Sequence, residues 1–323
     1  MCAAACGKGG HSSAPVNRSA TVVAVIKGLD NPFFATMKDG LVATARRDDV
    51  RLSVDAAAGL QDTAGQASTL ESRVAQRAGC YVVNPIMATN LIAPLSHIAK
   101  GTPIVNIDSP VDQNASRAVG VHIATYIGTD NVAAGGKAAD AMASFVGTDA
   151  RVAVIAGIPG DSTSEARTKG FTQGARQRFQ VVQTVAADFN RQRARLAAEG
   201  VLRVRPPVDG FFAANDDMAL GITEAVSAAG LTGKVAVIGV DGVVAALEAV
   251  QSGAMSATIA QYPYTMGQLA VEACVAAQRR KALPVKVDAP VQVVTKTNVA
   301  RARAGFPKPV APFDDPLARL LNG

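Results

Sequence analysis

The chain has 323 residues, 49% of them hydrophobic and 18% charged, which is enough for two domains of ordinary size and describes a folded globular protein rather than a disordered one. Its formal charge is +6, yet the Lys and Arg are scattered, with short doublets such as Arg46-Arg47 and Arg279-Arg280. A nucleic-acid binder concentrates such charge on one face or arm, so no nucleic-acid partner is expected, and no run of 18 apolar residues is present to span a membrane.

At the start, Ala3-Ala4-Ala5-Cys6-Gly7 followed by a polar stretch over 8–19 resembles the end of a bacterial lipoprotein signal. Cys6, with Cys2 as the alternative, is the residue such a signal would acylate. Residues 1–19 would then be signal remnant and tether, placing the protein outside the cytoplasm with only a lipid touching the membrane.

Short apolar strands then alternate with amphipathic helices. Strands are expected over 20–27, 51–57, 80–83 and 103–107, with helices near 34–47, 64–77 and 91–100 between them. A second series follows the strand 121–127. It has helices over 131–146, 164–179, 190–203, 217–229 and 243–252, and strands over 151–156, 181–187, 208–214, 234–240 and 255–260. A helix over 264–281 and a strand over 291–295 complete the pattern, and the tail 300–323, with four prolines and no period, reads as an extended surface strap or a disordered end. Near-continuous apolar strands separated by helices mark parallel sheets covered on both faces, and two such series imply an α/β chain of two doubly wound lobes. Between lobes is a usual place for a small-molecule site.

The polar residues collect where strands end. Lys27-Gly28-Leu29-Asp30-Asn31-Pro32-Phe33-Phe34 follows the first strand, and its proline fixes φ, removes a donor and leaves Asn31 extended. The two rings could join the core or cover a ligand. Ser162 with Glu165 fits a capping box and sets Arg167 in the first two turns of a helix, as a solvated residue or as a rigid bidentate donor. Asn215-Asp216-Asp217 offers one cap, worth about 1 kcal/mol, and two further carboxylates that capping leaves unexplained. Asp108 and Asp241 end two more strands, each also suited to a turn.

Other chemistries find little footing. Cys80 and Cys274 fall in apolar surroundings and read as small buried hydrophobes, and none of the four cysteines has metal-ligand spacing. With histidines only at His11, His97 and His122, no Ser-His-Asp or Cys-His arrangement is evident, nor a nucleophile elbow. The Gly157–Gly160 loop lacks both the dinucleotide fingerprint and the Gly-Lys-Ser/Thr of a P-loop. No cofactor is expected.

Taken together the loops resemble the ribose-binding branch of the class I periplasmic sugar-binding proteins, which serve ABC importers. The resemblance runs from about Thr21 to Thr295 and rests on Asn31-Pro32-Phe33-Phe34, Thr129-Asp130-Asn131, Ala166-Arg167 with Gly170-Phe171, Ala187-Asp188-Phe189, the 215–221 stretch, Gly239-Val240-Asp241-Gly242 and Ala257-Thr258-Ile259-Ala260-Gln261. It implies a three-segment hinge near Thr125, Gln261 and Ala289. The N-terminal lobe would hold 20–125 and 262–288, the C-terminal lobe 126–261 and 289–299. It further implies that Asn31, Phe33, Phe34, Asp108, Arg167, Phe189, Asn215, Asp241 and Gln261 bind the ligand, that a membrane permease recognises the closed form, and that the protein acts as a monomer without catalysis.

One position departs from the pattern: ribose binders usually follow the first-lobe Asp with Arg, and here Ser109 follows Asp108. Without that fork the resemblance implies a neutral ligand other than D-ribose: a polyol such as xylitol or threitol, a cyclitol, or another pentose or hexose. The rivals are a receptor for a sugar-type signal, an enzyme acting on sugars, and a repressor of the lactose type, for which residues 1–20 are too short and glycine-rich to form a helix-turn-helix.

Overall fold

In this computed structural model residues 21–322 are described. The expectations for Cys6, Cys2 and the tether lie outside the described residues.

The first half alternates β1 (Thr21–Ile26), α1 (Pro32–Arg47), β2 (Arg51–Ala56), α2 (Thr63–Val74), β3 (Cys80–Val83), α3 (Ile92–Ser96), β4 (Ile104–Ile107), α4 (Gln113–Ala118) and β5 (Thr125–Gly128). The second runs through α5 (Asn131–Ala143), β6 (Arg151–Ala156), α6 (Ser162–Ala175), β7 (Gln180–Ala186), α7 (Arg191–Leu202), β8 (Gly210–Ala213), α8 (Asp216–Ala228), β9 (Ala236–Asp241), α9 (Val244–Ser252) and β10 (Ala257–Gln261). Then come α10 (Pro263–Gln278), β11 (Lys286–Asp288), β12 (Val291–Thr295), α11 (Val299–Gly305) and α12 (Pro316–Asn322).

Each half supplies five strands of a six-stranded sheet and the C-terminal segment the sixth, in the orders β2-β1-β3-β4-β5-β11 and β7-β6-β8-β9-β10-β12. All pairings are parallel except β10 with β12. The repeated 2-1-3-4-5 order is a doubly wound sheet, which binds ligands beyond the carboxyl ends of its strands. Central strands such as β3, β8 and β9 are buried throughout, whereas edge strands β2 and β7 are largely exposed or half-buried.

The chain passes between sheets three times. β5 pairs within the first sheet, so the first crossing falls at 129–130 rather than near Thr125. The second is at Tyr262, after which α10 packs on α1 and on β3 and β4, and the third separates β11 from β12.

Three local readings are corrected. Cys80 and Cys274 are indeed fully buried, but they form a disulfide with Cα atoms 5.8 Å apart. The 194-residue separation carries no pairing signal, because α10 reaches β3 only after the chain has built the other lobe. The cap of α6 is Asp161, whose carboxylate accepts from Ser164 N at 2.8 Å, and Ser162 is its first helical residue. The tail is not featureless: α11 packs on α9 and β12, while Pro316 opens α12, whose Leu317 is buried in the first lobe's core. Aperiodic proline-rich sequence hides two helices of seven residues each.

Candidate functional site

At the end of β1, Asn31 is extended (φ −90°, ψ 121°) and caps α1, its Oδ1 accepting from Phe33 N at 2.9 Å. Pro32 follows as the first helical residue, where a missing N–H costs nothing. The first turn therefore carries Phe33 and Phe34 inward, edge to face with centroids 5.2 Å apart. The rings join the first lobe's core and also border the interlobe cavity.

Lys27, at the same strand end, is buried, and its Nζ donates to Ser109 Oγ at 2.6 Å. That ammonium lies 3.9 Å from Asp108 Oδ2 and 5.5 Å from the centre of the Phe34 ring. The turn after β4 that carries Asp108 and Ser109 is held from below. Asn106 Nδ2 donates to Ser109 O at 2.8 Å, Val111 N donates to Asn106 Oδ1 at 2.8 Å, and Tyr126 Oη donates to Asp108 O at 2.6 Å. Burial and the nearby Asp108 push the Tyr126 phenol up, so it remains a donor. Asp108 sits at φ 59°, a left-handed conformation that Asp tolerates.

The opposite wall belongs to the second lobe. Thr163 and Arg167 stand one turn apart on α6 and so share a face. Their helix lies unusually close to α5: a Cβ on Gly170 would meet Val132 O at 2.0 Å, and one on Gly135 would meet Arg167 O at 2.1 Å. This approach seats the guanidinium, whose Nε donates to Asn131 Oδ1 at 2.8 Å and whose Nη1 donates to Ala214 O at 2.6 Å. Nη1 also lies 3.5 Å from Asp241 Oδ1, to which Gln261 Nε2 donates at 2.7 Å.

Asp241 has φ 139°, a conformation few L-residues adopt, and Asp216 is what holds it there. The fully buried Asp216 carboxylate accepts from Gly242 N at 2.6 Å, Val243 N at 3.1 Å and Thr258 Oγ1 at 2.7 Å. Desolvation pushes the Asp241 carboxyl well above the usual carboxylate range; Arg167 opposes that and the Asp216 charge adds to it. Asn215 caps α8 through its Oδ1, which accepts from Met218 N at 3.0 Å, so the cap does not use the amide NH2. Phe189, at φ 55°, closes the wall from the loop after β7.

These side chains surround one cavity between the lobes. Asn31, Phe33, Phe34, Asp108, Ser109, Arg167, Phe189, Asn215 and Asp241 all line it. Gln261 stands behind Asp241 and reaches the cavity only through it. Four further lining residues escaped the sequence reading: Lys27, Leu60, Asp161 and Thr163. The i,i+4 spacing of Thr163 with Arg167 could have revealed one of them. A wider vestibule, bordered by Asp30, Asp62, Asp188 and Asp217, adjoins the cavity through Asn31, Leu60 and Phe189. His97, paired with Glu71, and the exposed His122 lie away from it, and among the described residues no group of His, Cys, Asp or Glu is placed to hold a metal ion.

Two doubly wound lobes enclosing a cavity of buried charges, amides and Phe rings define a cleft-type solute-binding protein. The periplasmic binding protein domain model matches residues 22–282, and the chain belongs to that family. It is 32% identical over 272 residues to the D-allose-binding periplasmic protein of Escherichia coli (strain K12), covering 83% of this chain and 88% of that one. It is 33% identical over 278 residues to the ribose import binding protein RbsB of Bacillus subtilis (strain 168), covering 85% and 87%. A solved ABC transporter periplasmic solute-binding protein from Actinobacillus succinogenes 130z, with bound D-allose, superposes with TM-score 0.83 at 30% identity, over 87% of this chain and 99% of that one. Family membership makes the chain a binding component of an ABC transporter that works outside the cytoplasm, and not an enzyme. No helix among the described residues is long and apolar enough to cross a membrane.

Proposed function

We propose that the protein binds a neutral monosaccharide or sugar alcohol between its lobes and hands it to the permease of an ABC importer. The observation that carries this reading is the cavity itself, where Asp108, Asp241, Arg167 and Asn215 face Phe33, Phe34 and Phe189. Carboxylates and cations supply the stronger hydrogen bonds, about 1.5–3 kcal/mol each, to hydroxyls of either polarity, and the rings cover C–H faces. Opposite charges stand on the same wall as Lys27 with Asp108 and Arg167 with Asp241, which favours a ligand without net charge.

Ser109 gains a meaning from Lys27. The cation expected beside Asp108 is supplied from the end of β1, as a compact ammonium and not as a planar fork. That favours a ligand other than D-ribose. D-allose comes first among the candidates, supported by the likeness to D-allose binders, ahead of D-ribose, xylitol, threitol and cyclitols. The ten residues named from the sequence, together with Lys27, Asp161 and Thr163, form the proposed site. The crossings at 129–130, 262 and 289–290 form the proposed hinge. The protein is further proposed to act as a monomer, tethered through a lipid on Cys6.

Calorimetric titration of that panel tests the reading. Saturable binding of one neutral sugar or polyol, with sugar phosphates silent, is the expected result. Turnover of a sugar, or silence across all neutral compounds, would sink it.

A further inference from the structure

Residues 299–322 lie beyond the family match and beyond every element the ligand site needs. They are nonetheless built into both lobes. α11 seats Val299 and Ala302 in the second lobe's core, and Val310 packs against that same core. Only two residues separate Val310 from Phe313, which packs against the first lobe's core, and Leu317 is fully buried there with Leu320 and Leu321 against it.

The anchor on the first lobe is polar as well as apolar. Asp315 caps α12, accepting from Leu317 N at 2.9 Å and Ala318 N at 3.0 Å, and its other oxygen lies 3.4 Å from Gln268 Nε2 of α10. Between its two anchors the segment touches the second crossing. Val310 N donates to Tyr262 Oη at 3.4 Å, and that hydroxyl donates to Gln292 Oε1 at 3.1 Å, just past the third crossing.

From this packing we infer that residues 306–315 are a fourth tie between the lobes, bearing on the hinge at Tyr262 and biasing the lobes towards the closed arrangement. The reach of the chain sets the limit. Three residue steps span at most about 11 Å, so opening that carries the two anchors further apart must undock one of them. Both anchors are seated in the arrangement where Lys27 and Asp108 of one lobe and Arg167 and Asp241 of the other are all buried at the cavity between them, and an anchor that opening would undock favours the state that keeps it seated. The closed fraction of the ligand-free protein therefore depends on the tail, and apparent affinity scales with that fraction. The effect on affinity rests on the proposed sugar binding; the effect on lobe separation does not.

Pulsed electron–electron distances between spin labels attached through non-native side chains at the exposed Gln61 and Gln192, one on each lobe, test this without any ligand. The full-length chain is compared with a chain ending at Gly305 and with full-length Asp315→Ala and Leu317→Ala, each checked for a cooperative melt by circular dichroism. The expected result is a distribution shifted to longer separations in the truncated chain and in at least one point variant, with roughly a three- to tenfold weaker apparent affinity for whichever panel sugar binds. If truncation unfolds the first lobe, the point variants decide. Distributions that coincide with that of the full-length chain, or that shift to shorter separations, overturn the tie. Failure of every sugar to bind would defeat the proposed function while leaving the distance comparison to stand or fall alone.

Discussion

Lys27, just past the end of β1, and Thr163, in the first turn of α6, are the residues on which the character of the site turns. Replacing Lys27 by Met keeps the stem and removes the ammonium, leaving Asp108 buried without its cation and Ser109 without its donor. Affinity for the bound sugar should fall roughly tenfold or more, since hydrogen bonds to charged groups are the costly ones to lose. An unchanged affinity in calorimetry would mean that Lys27 only packs. Thr163 Oγ1 is buried beside the cavity with no hydrogen-bond partner among the described residues. Thr163→Val is nearly isosteric, so it should raise the melting temperature of the ligand-free protein slightly while weakening binding about fivefold, one neutral hydrogen bond being worth about 1 kcal/mol. A variant that is no more stable and binds as before would show that the hydroxyl meets no ligand. The other site residues were legible because a polar side chain ending an apolar strand has few structural reasons to be there. Lys27 was not, since a lysine before a glycine reads as surface, and Leu60 comes from a loop that no motif marks.

Among elements, α10 joins the fold's separate parts, packing on both α1 and α12. Its Glu272 is almost wholly buried and accepts from Arg47 Nη2 at 2.8 Å and Gln268 Nε2 at 3.1 Å, while its Oε2 has no hydrogen-bond partner among the described residues. Burial raises its pKa from 4.5 to about 7, Arg47 opposing and the neighbouring Asp315 adding to the effect. Asp48 and Arg279 complete the charged surroundings. A carboxyl whose folded-state pKa is raised stabilises the fold fully below its ordinary value of 4.5 and loses that contribution as pH rises through about 7. Glu272→Gln imitates the protonated form, so it should match the parent near pH 4 and exceed it at pH 8 by on the order of 2 kcal/mol in denaturant unfolding. A deficit at both pH values would mean that the ion pair with Arg47 outweighs the burial. At this scale the long, periodic helices and buried strands were legible. The short α4, β11, α11 and α12 were not, because elements of three to seven residues carry too little period and are held by tertiary contacts.

At the scale of the whole molecule the same helix decides how the two lobes are held as one chain. Cys80 precedes the first crossing and Cys274 follows the second, so their disulfide closes a loop that contains the entire run from β4 to β10. The bond itself lies within the first lobe, between β3 and α10, and α10 reaches that lobe only by way of the second. Without it, the first lobe would depend on a segment that is tethered to it through the whole second lobe. Cross-linking a loop of that length removes about 5 kcal/mol of unfolded-chain freedom in the entropic model. An oxidising compartment, where a secreted binding protein works, is where such a bond persists. Reduction, or the Cys80→Ala/Cys274→Ala pair, should therefore destabilise the first lobe selectively and split thermal unfolding into two steps. Hydrogen exchange would report the early loss in β3 and α10, while β6, β8 and β9 keep their protection to the higher transition. A single transition lowered equally in both lobes would mean that the lobes unfold as one unit and that the bond does not act on the first alone.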